Sequence, residues 1–297
     1  SDYFLDLLGC ILLRFKILMK FSIDPFPKII LIIEFFFNSQ DFVLLSNVFS
    51  ALVQASSITY PTFVKDFFAP FIVIKTIEVI ESQPQYISED MVQVDIFNVQ
   101  RNSFFSLKND ALSIILNFSA IDDETRSHLI NIGMMDLDCI NLCFLNENDL
   151  NEIINSESFY EASRTNDQNF TPIQNNLDSS LLPKIASNFF SSNHFHAMQC
   201  AYSLFWESLV KSYNFLNFDT KQGIARAATL ALKHDDEDLI TVILSDEMME
   251  FVISSLTECF ANNASKLEIN CIIAIENLIS MLNNYPNMAE INLGLQT

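Results

Sequence analysis

Residues 111–120 read ALSIILNFSA, an apolar, helix-shaped run with one amide, Asn117, at its centre. Positions four apart on a helix share a face, so Asn117 lies with Ser113 on one side of the run. A polar face on an otherwise apolar helix is either wet or reserved for a partner. The amide can then bond a ligand, through its donor and acceptor together, or tie neighbouring helices; both readings stand at this stage. The fold turns on whether this helix stands alone or recurs.

It recurs. LSIILNFSAIDDETRSHLINIGMMDLDCINL, from Leu112, and TLALKHDDEDLITVILSDEMMEFVISSL, from Thr229, share one order of features. Each gives an apolar helix, an acidic link, a short helix, a Met-Met pair and another apolar helix. The links are Asp122, Asp123 and Glu124 in the first and Asp235, Asp236 and Glu237 in the second, and the methionine pairs lie 114 residues apart (248 − 134). An Ala-apolar-x-polar-apolar pattern adds copies at 51–55 and 274–278, which places Gln54, Asn117, Ala231 and Asn277 equivalently. The spacings are 63, 114 and 46 residues (117 − 54, 231 − 117, 277 − 231). Only the last is near the roughly 40–47 residues of a helical repeat unit.

Composition agrees with helix. The 297 residues are 50% hydrophobic, with 28 Phe and only 4 Gly, so the turns that sheets, barrels and phosphate loops need are scarce. Helices are expected at about 3–21, 27–37, 41–56, 60–68, 70–81, 107–120, 123–132, 134–145, 147–155, 181–191, 194–213, 219–233, 236–245, 247–261 and 266–284. The pattern loosens over 81–105, where MVQVDIFNV (91–99) reads as a short extended piece or a poor helix. It dissolves over 156–180, a segment rich in Ser, Asn, Asp and Gln that reads as a flexible loop or linker,. Amino-terminal helical repeats over 1–155 and carboxy-terminal repeats over 181–297 would then flank it in one continuous solenoid.

Ala111–Phe118 and Cys271–Leu278 resemble degenerate forms of the armadillo third helix, roughly Ala-x-x-Ala-Leu-x-Asn-Leu. Gly133, in LINIGMMDL, stands where that family separates its first and second helices. The resemblance spans about residues 27–284 and implies an all-α, right-handed α-solenoid superhelix of armadillo/HEAT-like repeats. It also implies a non-catalytic scaffold or adaptor that binds a partner segment in its concave groove. The groove-lining candidates that follow are Ser50 with Gln54, Ser113 with Asn117, and Ile273 with Asn277. The alternative is an importin-alpha-like nuclear transport adaptor for basic cargo peptides. Importin-type proteins place Trp four residues before the Asn, whereas this chain has Ser50, Ser113, Ala227 and Ile273 there, and its only tryptophan is Trp206.

The net charge of −21, from 16 Lys and Arg against 37 Asp and Glu, disfavours nucleic acid and anionic membranes. It suits a neutral or basic peptide segment or helix of another protein. Six cysteines without a CxxC pair read as buried hydrophobes in a reducing, cytoplasmic setting, with the nucleus as the other compartment,. Arg14, Lys16 and Lys20 break the apolar amino terminus, so no membrane span is expected,.

Enzyme signals are thin, and neither a cofactor nor a metal is expected. Glycines at 9, 133, 223 and 294 cannot assemble a phosphate loop,. His194, His196 and Cys200 lack the further ligands and the common face of a metal site; Ser192 or Asn193 reads as a helix cap there. The acidic runs read as helix openings, and Trp206 as a core anchor or an interface hot spot. His128 and His234 are isolated.

Overall fold

The computed structural model describes residues 42–56, 72–81, 94–139, 177–212 and 216–243. These residues are mostly helical and contain no strand, so the described chain is all-α. Six expected helices (3–21, 27–37, 60–68, 147–155, 247–261 and 266–284) and most of the 156–180 segment lie outside them. The chain divides into two compact units: Ser1–Met134 with Asn141–Asp178, and Met135–Ile140 with Ser179–Thr297.

In the first unit, α1 (Phe42–Ser56) buries Leu45, Val48, Phe49, Leu52 and Ser56, an i, i+3, i+4, i+7, i+11 stripe that packs on α3 (Val94–Ser119),. Burying each such Phe or Leu contributes about 1.5–3 kcal/mol before entropy is counted. The second helix, α2 (Ile72–Glu81), also packs on α3 and buries Ile72, Val73, Thr76, Ile77 and Ile80. Both helices pack on α3, and its apolar stripe is wide: Ala111, Leu112, Ile114, Ile115 and Phe118 are all buried.

Of the two readings of MVQVDIFNV the helical one holds over 94–99, and the helix expected from 107 begins at Val94 and runs without a break to Ser119, while residues 82–93 lie outside the described residues. The alternation in VQVDIFNV yields to a helix long enough to meet both α1 and α2. Helix α4 (Asp123–Asn131) follows, and its end carries Gly133 at φ 91°, a left-handed cap that glycine adopts without strain,. The expected helix 134–145 does not start there. Met134–Asp136 forms a single 3-10 turn, and residues 137 and 138, in no regular element, follow it.

The second unit is built from α5 (Leu181–Phe190), α6 (His194–Ala201), α7 (Leu204–Lys211), α8 (Phe218–Ala231) and α9 (Glu237–Ile243). The expected helix 194–213 is broken at Tyr202 and Ser203. There the Ser203 hydroxyl accepts from Trp206 N (3.1 Å) and starts a new helix in place of continuing the old one,. Leu177 and Ser179, expected in the polar linker, are buried.

Helix α5 packs on α8 and α6 packs on α9, each helix meeting the third one after it. The α5 and α8 axes run parallel. Ser179 and Thr220 hydroxyls meet at 2.7 Å where the two helices begin, and the Phe190 carbonyl accepts from His234 Nε2 at 2.7 Å where they end. Between those ends Gly223 gives α8 its close approach, because a Cβ there would stand 2.5 Å from Cγ of Pro183. The paired positions are 40 to 44 residues apart (223 − 183, 220 − 179, 234 − 190).

Candidate binding surface

The residues singled out for a groove separate into three cases. Ser50 is exposed on α1, and Gln54 belongs to the same helix. Ser113 is half-buried and its hydroxyl donates to the Asn109 carbonyl of its own helix (2.8 Å). Asn117 donates from Nδ2 to Ser56 Oγ (2.9 Å), and Ser56 in turn donates to the Val53 carbonyl (2.8 Å). The Asn117 donor therefore ties α3 to the carboxy-terminal end of α1. Ile273 and Asn277 lie outside the described residues.

The acidic runs are helix openings. Asp122 accepts from Thr125 N (2.9 Å), the Thr125 hydroxyl accepts from Asp122 N (3.2 Å), and the pair closes a capping box,. Asp236 accepts from Leu239 N (2.9 Å) in the same way. These caps stand 114 residues apart (236 − 122), the offset read from the methionine pairs. Arg126 adds a donor to the Ser119 carbonyl (3.0 Å) at the end of α3,.

At the start of α6 Asn193 accepts from His196 N (3.0 Å), while His196 itself is buried with Nδ1 2.9 Å from Ser192 Oγ. His194 instead lies on the surface, 3.7 Å from Asp236. Among the described residues no group of three or more His, Cys, Asp or Glu is placed to hold a metal ion. Cys139 and Cys200 are buried thiols, and burial pushes the Cys200 thiol far up,. Trp206 is buried edge-on against Phe190, with ring centroids 4.9 Å apart. Burial also pushes the half-buried Asp110 carboxyl, on α3, up to about 6.

What the sequence reading missed is on α6 and α7. Phe195, Tyr202 and Leu204 are exposed to 57%, 61% and 45%. Phe195, Gln199 and Tyr202 follow i, i+4, i+7 along one exposed face, and Leu204 continues the apolar surface past the break at Ser203. Composition hid them, because apolar residues at helical spacing read as core. The one available signal was crowding: HFHAMQCAYSLFW has more apolar and aromatic positions than a single buried stripe holds,.

No protein-family model matches this chain, and neither a curated protein nor a solved structure matches it. Among the described residues no helix is long and apolar enough to cross a membrane.

Proposed function

We propose that this chain is a non-catalytic scaffold or adaptor, an α-solenoid of armadillo/HEAT-like repeats that receives a segment of another protein along its inner wall. The observation that carries the reading is the pairing of α5 with α8 and of α6 with α9 at a separation of 40 to 44 residues. A three-helix period of that length falls within the range of stacked helical repeats, roughly 40–47 residues. Each repeat buries its apolar face only when a neighbour docks, and stacking leaves an extended wall for a partner. The net charge of −21 makes a neutral or basic segment the fitting occupant,.

Two measurements on the full chain test this. Small-angle scattering is expected to give an elongated particle, and a photo-crosslinking residue placed at the exposed Ser50 is expected to capture a protein partner from lysate. A compact scattering profile would remove the solenoid. An empty crosslink at Ser50, repeated at Gln54 and Ser113, would remove the groove.

A further inference from the structure

We propose that α6 and the start of α7 form a second docking surface for a short segment of another protein that carries aliphatic or aromatic side chains next to Lys or Arg. The inference rests on the scaffold reading above and adds a site to it. Only four large hydrophobic residues are exposed among those described, and Phe195, Tyr202 and Leu204 are three of them. The exposure is thus concentrated within ten positions, which distinguishes a patch from the ordinary scatter of apolar surface residues.

Charge selects the occupant. At the amino-terminal end of the stripe His194, the residue before Phe195, lies 3.7 Å from Asp236, so the acidic opening of α9 stands at the start of α6. Asp235, Glu237 and Asp238 are exposed, and over residues 231–243 Lys233 is the only Lys or Arg. A segment that lays apolar side chains along Phe195, Tyr202 and Leu204 brings its next residues against those carboxylates, where Lys or Arg gains and Asp or Glu is repelled. A second copy of the chain fits poorly. Three half-exposed side chains offer about 300 Å², well short of the roughly 800 Å² per partner of a stable interface, and each copy carries a net charge of −21. Anionic lipid is disfavoured by the same charge.

The test is fluorescence anisotropy of the full chain with three labelled peptides: one of Leu followed by Lys, one with each Lys replaced by Glu, and one with each Leu replaced by Ser. Only the first is expected to bind. Phe195→Ser with Tyr202→Ser is expected to weaken it about tenfold or more, with an unchanged circular dichroism spectrum because both side chains are exposed. Asp235→Asn with Glu237→Gln and Asp238→Asn is expected to weaken it and flatten its salt dependence.

Binding of all three peptides alike, binding of none, or binding indifferent to both sets of substitutions would overturn the second surface. Binding lost instead on Ser50→Arg would place the peptide on the inner wall, sparing the scaffold while removing this site. A concentration-dependent rise in mass that disappears in Phe195→Ser, or co-sedimentation with anionic vesicles, would likewise replace the proposed occupant. A compact scattering profile tells against the scaffold and leaves the peptide result to stand by itself.

Discussion

Asn117 shows how one residue can be legible in kind and not in role. Its place among apolar residues marks it as an amide that needs a partner, but sequence order cannot say that Ser56, 61 positions away, supplies it. If the amide serves as this tie, Asn117→Ala and Ser56→Ala each cost about 1 kcal/mol and the double variant costs less than their sum. Urea denaturation of the three variants checks the coupling. Strict additivity would mean that the bond contributes nothing to stability.

Asp110 makes a pH prediction of definite sign. Burial raises its pKa from 3.8 to about 6 in the folded chain, so the folded state holds the proton more tightly than the unfolded one. Its contribution to stability therefore declines as pH rises through that window, and above about 6 the carboxylate is a liability,. Asp110→Asn is expected to be more stable than the parent at about pH 7, by a margin that narrows through 6 and vanishes below about 4. Urea midpoints across that range decide it, and a margin that widens on acidification would refute the assignment.

At the scale of elements, the contact of α5 with α8 turns on Gly223. Replacing a helical glycine by alanine gains up to about 1 kcal/mol of propensity, while overpacking costs about 1–3 kcal/mol. The 2.5 Å approach to the stiff Pro183 ring lets the cost win, so Gly223→Ala is expected to lower the unfolding free energy by about 1–2 kcal/mol. A rise in melting temperature would show that the ring moves aside.

The caps give a second element-scale test: Asp122→Ala and Asp236→Ala are each expected to cost about 1 kcal/mol, and the exposed Asp123→Ala much less. Thermal melts with and without calcium separate capping from cation binding, because only a cation site would gain stability from the metal. Alternation in VDIFNV predicts a helix that starts only at about 107, yet α3 extends to Val94. The helix read through 194–213 ends at Tyr202, because a Ser203 cap competes with continuation.

For the whole molecule, two compact units with their own apolar interiors imply two separable stability transitions. Hydrogen exchange in Gly223→Ala is expected to accelerate over 179–243 and to leave α1 and α3 unchanged, and Asn117→Ala to do the reverse. Acceleration throughout in either variant would mean that the chain opens as one cooperative block.

Among the described residues the sequence by itself determined the all-α class, most helix positions and the capping role of the acidic runs, because helical spacing, glycine scarcity and cap chemistry act over a few residues,. It also held the 114-residue offset that the caps Asp122 and Asp236 share with the methionine pairs. The tertiary structure alone decided that α5 lies parallel to α8, that Asn117 bonds Ser56, and that Phe195, Tyr202 and Leu204 face outward. Each of those depends on which helix covers which face, and a face is covered or left open by residues tens of positions away whose approach no local pattern encodes.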